Sequence, residues 1–140
     1  MKANRLSVAF IFTVASALLL LSSCAKKFVM NNTGIAPAAT AIAKIKSKKN
    51  SNYDINVSVN NLAPSKKLNP PRNTYVVWMQ TESNGIKNIG QFQSGSGLLS
   101  SALKGSVKTT TAFKPTGFFI TAEDDAAISY PGSMVMLKSN

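Results

Sequence analysis

The stretch that decides the fold is residues 74–92, "TYVVWMQTESNGIKNIGQF". Its first eight residues are nearly all β-formers, with Tyr75, Val77 and Met79 alternating against Val76, Trp78 and Gln80. The Asn84-Gly85 pair then supplies the two residue types that most readily take positive φ in a tight hairpin turn. Beyond it the chain returns through Ile86, Ile89 and Phe92. Strands joined by so short a turn must run antiparallel, because a parallel crossover needs a dozen residues or more.

The same period of two continues outward from this hairpin. In "YDINVSVNNL", residues 53–62, Tyr53, Ile55, Val57 and Val59 fall on one face, and Asp54, Asn56, Ser58 and Asn60 on the other. That is a half-buried strand. Before it, in "ATAIAKIKSKK" (39–49), Ala41, Ala43, Ile45 and Ser47 alternate with Ile42, Lys44, Lys46 and Lys48. "KKNSN" between the two runs is turn material, so they form a second hairpin. "APSKKLNPPRN" breaks the regular structure with Pro64, Pro70 and Pro71. After the central hairpin, "SGSG" interrupts the chain again, and "LLSSALKGSVKTTT" gives one or two weaker strands, of which "LLSSALK" has the option of a short helix. "FFITAED" and "MVMLK" are the last strands, joined through "DAAISYPGS". Short strands at near-regular spacing predict an all-β domain over residues 38–140, a small antiparallel immunoglobulin-like sandwich of about seven strands.

The amino-terminal residues read differently. "MKANR" carries Lys2 and Arg5, and residues 6–21 follow without a charge. A basic start and an apolar run shorter than the roughly 20 residues of a membrane span are the layout of an export signal. It ends in Leu21-Ser22-Ser23-Cys24, which resembles the lipobox of bacterial lipoproteins: an aliphatic residue, two small ones, then cysteine. The resemblance implies cleavage between Ser23 and Cys24, a diacylglyceryl group on the Cys24 thiol, and acylation of the new amine. A thiolate suits that role as the strongest side-chain nucleophile. The expected organisation is a cleaved signal helix over 1–23, a flexible lipidated tether over 24–37, and the β domain. Removal of the signal takes Lys2 and Arg5 with it and lowers the formal charge from +11 to +9. Lipoproteins held at the inner membrane often carry aspartate after the cysteine, and surface-exported ones often carry acids there. Ala25-Lys26-Lys27-Phe28 has neither, so the expected location is the periplasmic face of the outer membrane.

Composition narrows the chemistry. The chain holds sixteen Lys and Arg, five Asp and Glu, one Cys and no His. One cysteine cannot close an internal disulfide, and the commonest general base and metal ligand is missing. No cofactor or metal is expected. Nucleic acid would suit the charge, but a lipid-anchored exported protein rarely meets it, so it is not expected as a partner.

Parts of the chain resemble one family. "TYVVWMQTESNGIKNIGQF" and "FFITAEDDAAISYPGSMVMLK", within residues 53–138, are similar to the extracytoplasmic domain of anti-sigma-K-type factors. The shared elements are a strand around Trp78, a return through Ile89-Gly90, a Thr121-Ala122-Glu123 strand, and an apolar last strand after Pro131-Gly132. The resemblance implies a β-sandwich. Sigma binding does not carry over, because only five residues precede the signal.

Four groups of residues are candidates for function. Lys44, Lys46 and Lys48, with Lys49 beside them, place a basic stripe on one strand face. It suits anionic lipid, lipopolysaccharide or acidic glycan; lysines that protect a sheet edge from aggregation would look the same. Ser101-Ala102-Leu103-Lys104 matches the S-x-x-K pattern of penicillin-binding enzymes, and Lys114-Pro115-Thr116-Gly117 loosely echoes their K-T-G. So short a pattern recurs by chance, and no catalytic residue is assigned. Glu123-Asp124-Asp125 offers oxygens for Ca²⁺, but three acids between two strands read first as a solvated turn. Trp78 reads as core before ligand platform. The sequence therefore predicts a non-enzymatic, lipid-anchored envelope module that binds an envelope protein or polymer, or, as the alternative, an anionic surface through the lysine stripe.

Overall fold

Eight strands make up most of the described residues: β1 (Lys26–Asn32), β2 (Thr40–Ser47), β3 (Tyr53–Leu62), β4 (Thr74–Thr81), β5 (Ile86–Phe92), β6 (Leu103–Thr111), β7 (Pro115–Glu123) and β8 (Val135–Ser139). They come from a computed structural model, which describes residues 25–92 and 103–140. The only helix among the described residues is one 3₁₀ turn, Ser65–Lys67. All neighbouring strands pair antiparallel, in the order β5-β4-β7-β8-β1-β2-β3-β6.

The all-β antiparallel architecture is the one expected, built as a single sheet of eight strands. That sheet curls until its edges β5 and β6 lie against each other, giving a nearly closed barrel. Packing rather than a hydrogen-bond ladder joins the seam. Gly90, at φ +137°, sits so near β6 that an added Cβ would lie 2.8 Å from Val107 Cγ1. An added Cβ on Gly105 would come 3.0 Å from Phe92 Cδ1. The edges meet because these two positions have no side chain.

The tether expected over residues 24–37 needs correction. Lys26–Asn32 is β1, an interior strand with β2 on one side and β8 on the other. Met30 is fully buried and is opposite both Ala41 and Ser139, while Val29 points outward and is 58% exposed. Phe28 packs edge-on against Phe118 at 5.4 Å. Lys26 and Lys27 before Phe28 and Asn31 and Asn32 after Met30 hide the alternation, and partners far along the chain make the strand.

The barrel interior is filled by alternate residues, as the period of two dictates: Ala41, Ala43 and Ile45 from β2, Ile55, Val57 and Val59 from β3, and Tyr75, Val77 and Met79 from β4. Phe118, Ile120 and Leu137 join them. The other face of β4 is also covered. Val76, Trp78 and Phe119 form a second cluster outside the sheet, with Ile128 and Val135 packed on it. The β7–β8 connection lies over this cluster. It is pinned by Asn88 Nδ2, which donates to the carbonyls of Ala126 (2.8 Å) and Ile128 (3.1 Å), and by the Gly132 N–H, which donates to Glu123 Oε1 (2.7 Å). A strand buried on both faces needs a continuous apolar run, and "TYVVWM" is one.

Tyr75 ties a loop to this interior. Its ring is buried, and its hydroxyl donates to the Ala63 carbonyl at 2.6 Å. Burial pushes the phenol from 10.0 to about 12. Because the folded state holds this proton more tightly, the associated stability is complete below pH 10 and is lost as pH rises through about 12. Tyr75→Phe should lower stability at neutral pH by about 1 kcal/mol through the lost hydrogen bond. It should also flatten the alkaline fall in thermal stability that the wild type shows.

Candidate anionic-surface interface

The outer wall of β1, β2, β3 and β6 carries residues the interior does not take. Register places Lys27 opposite Lys44, Lys44 opposite Asn56, and Asn56 opposite Lys108. Three lysines and one asparagine thus form a row across four strands. The next row is Val29, Ile42, Ser58 and Ser106, the first two being exposed apolar residues at 58% and 39%. On the other side of the lysine row, Lys46 is opposite Asp54, and Asp54 opposite Thr110. Like charges directly opposite in a sheet destabilise it by some tenths of a kcal/mol, so the Lys27–Lys44 pair contributes nothing favourable to the fold. Since β2 is an interior strand, edge protection does not account for its lysines either.

The single acid on this wall is already engaged. Asp54 Oδ1 accepts from Thr110 Oγ1 at 2.7 Å and from Lys48 Nζ at 2.9 Å. The Thr110 hydroxyl, and after it the Lys48 ammonium, hold the carboxyl below its ordinary 3.8. Asp54 therefore stays ionised at neutral pH and compensates Lys48, leaving Lys44, Lys46 and Lys108 without a salt bridge. Lys44, Lys46, Asp54, Asn56, Lys108 and Thr110 line an open groove of about 390 Å³ that reaches Ala25. In its floor Asn56 Oδ1 is buried without a hydrogen-bond partner. Such an acceptor costs about 1–3 kcal/mol while unsatisfied.

Of the expected stripe, Lys44 and Lys46 lie on the wall, Lys48 turns to Asp54, and Lys49 stands exposed in the β2–β3 turn. The row extends sideways instead, to Lys27 and Lys108. No sequence spacing relates these to Lys44; strand pairing alone brings them together.

Charge also divides along the barrel axis. The end at which β1 begins holds the β2–β3, β4–β5 and β6–β7 turns. Lys26, Lys46, Lys49, Lys87 and Lys114 belong to it, with Lys27, Lys44 and Lys108 just behind. Its two acids are Asp54, on Lys48, and Glu82, which accepts from Lys114 Nζ at 2.8 Å and raises the lysine's pKa. The other three acids, Glu123, Asp124 and Asp125, lie at the far end.

Those three acids do not converge. Glu123 is buried and receives the Gly132 N–H, Asp124 pairs with Arg72 at 2.5 Å, and Asp125 accepts from the Ala127 N–H at 2.9 Å. No cluster of three metal-ligating side chains occurs among the described residues. Glu123 belongs to the strand end rather than to a solvated turn. Trp78 is fully buried, its indole N–H donating to Thr121 Oγ1 at 2.8 Å and its ring stacked on Phe119 at 6.2 Å. Lys104 is exposed on β6, while Ser101, Ser23 and Cys24 lie outside the described residues. No known family model, curated protein or solved structure matches the chain.

Proposed function

We propose that this protein is a non-catalytic, lipid-anchored module of the bacterial cell envelope that binds anionic surfaces through the outer wall of β1, β2, β3 and β6. The observation that carries the reading is the transverse row Lys27–Lys44–Asn56–Lys108, positive charge that the fold does not use. The lipobox-like Leu21-Ser22-Ser23-Cys24 supports the anchor, with the periplasmic face of the outer membrane as its site. Two or three acyl chains hold durably where one does not, each buried CH₂ contributing about 0.8 kcal/mol. A chain without histidine, whose acids are engaged or scattered, supports binding rather than turnover.

Lysines at an anionic surface contribute roughly 1 kcal/mol each. Reversing Lys44 and Lys108 to Glu should therefore weaken binding to immobilised anionic lipid by about 30-fold or more. Raising the salt should weaken the wild type and leave the variant little changed. Equal binding by the folded variant would overturn the reading.

A further inference from the structure

The geometry points to a specific seat for this wall: the bilayer that holds the anchor, with Phe113 and Ile86 set into its headgroup layer and the lysines on anionic phospholipid. The inference rests on the reading above and names the surface bound.

Three observations meet at one end of the barrel. The first is reach. Only Ala25 separates Cys24 from β1, and two residues span at most about 7 Å. With β1 locked between β2 and β8, an acylated Cys24 leaves the barrel no slack to stand off the membrane. A tether would have allowed that; a strand does not.

The second is an apolar tip at that same end. Phe113, in the β6–β7 turn, is 39% exposed, and Ile86, beside the β4–β5 turn, is 43% exposed. The two turns are joined by the Lys114–Glu82 ion pair, and Lys87 Nζ lies 5.3 Å from the Phe113 ring centroid. Large apolar side chains beside lysines suit the interface, where rings and methyls enter the acyl boundary and ammonium groups stay at the phosphates.

The third is charge. The groove with the unpaired lysines opens beside Ala25, so the basic wall begins where the lipid is attached. Both acids at this end are neutralised by lysines within the protein, and the other three acids stand at the far end, with Arg72, Lys66 and Lys67. A negatively charged surface pulls this end toward itself and leaves Tyr130, 84% exposed in the β7–β8 connection, facing water. Soluble acidic glycan would answer to the lysines but not to the apolar tip or the short reach.

The test uses the full chain purified from membranes and reconstituted into phosphatidylethanolamine vesicles with and without phosphatidylglycerol. A nitroxide is placed at F113C, at I86C, or at Y130C as the reference, while acylation keeps Cys24 from reacting. Positions 113 and 86 should become accessible to oxygen dissolved in the bilayer and shielded from a water-soluble relaxant. The change should be larger with phosphatidylglycerol and smaller when Lys44 and Lys108 are reversed, and position 130 should stay wet. Positions 113 and 86 as wet as 130, on a chain whose mass shows acylated Cys24, would overturn the inference and leave the anchored-module reading in place. An unacylated Cys24 would overturn the reading itself.

Discussion

Trp78→Ala should lower stability by about 3–5 kcal/mol, the cost typical of emptying the site of a buried aromatic. The indole is fully buried between the β4–β7 sheet and the β7–β8 connection, stacked on Phe119 and bonded to Thr121. Truncation opens a cavity outside the barrel rather than within it, and it withdraws the N–H from the buried Thr121 hydroxyl. Ile128 and Val135 lose their packing surface, so residues 124–134 should become sensitive to protease before the rest of the barrel. Trp78→Phe keeps most of the apolar bulk and should cost only about 1–2 kcal/mol. Thermal unfolding reads the first effect and limited proteolysis the second. A Trp78→Ala protein as stable as wild type would mean that the outer cluster is not packed as described.

The second large effect lies in the segment that reads as a tether. Met30→Asp should abolish folding or cost more than about 5 kcal/mol, because it removes a buried side chain and places a carboxylate in the apolar interior. Domains of this size are stable by about 5–15 kcal/mol in all. The neighbouring Val29→Asp is the matched control. Val29 is 58% exposed on the outer wall, so the same charge one residue away should change stability by no more than about 0.5–1 kcal/mol. In a tether the two substitutions would be equally harmless. Urea unfolding of the pair measures whether β1 is a strand and which face it buries.

Periodicity made much of this legible and also set its limit. Alternation in 53–62 assigns Ile55, Val57 and Val59 to the interior, and all three are buried. The Asn84-Gly85 turn and the "KKNSN" turn join paired strands as expected. Alternation says which way a residue faces, but not which strand lies beside it. That is why no sequence window places Lys27 and Lys108 next to Lys44, and why one curled sheet cannot be told from two stacked ones. Gly90 and Gly105, whose missing side chains allow the seam, look in sequence like ordinary strand glycines. β1 is not legible in sequence because Asn31, Asn32 and two lysines dilute its pattern, and long-range pairing with β2 and β8 supplies what local propensity lacks. The double burial of Trp78 depends on a loop some fifty residues further along the chain, which no local window contains.

Position, and not total charge, makes the lysine wall a binding surface. Lys66 and Lys67 provide the comparison, being exposed in the 3₁₀ turn at the far end. Reversing both to Glu changes net charge by the same amount as reversing Lys44 and Lys108. Binding of the full chain to phosphatidylglycerol vesicles should then be compared for the two double variants at one salt concentration. The account predicts that K44E/K108E loses about 30-fold or more in affinity while K66E/K67E stays close to wild type. Equal losses in the two variants would show that net charge alone drives association, and would contradict it.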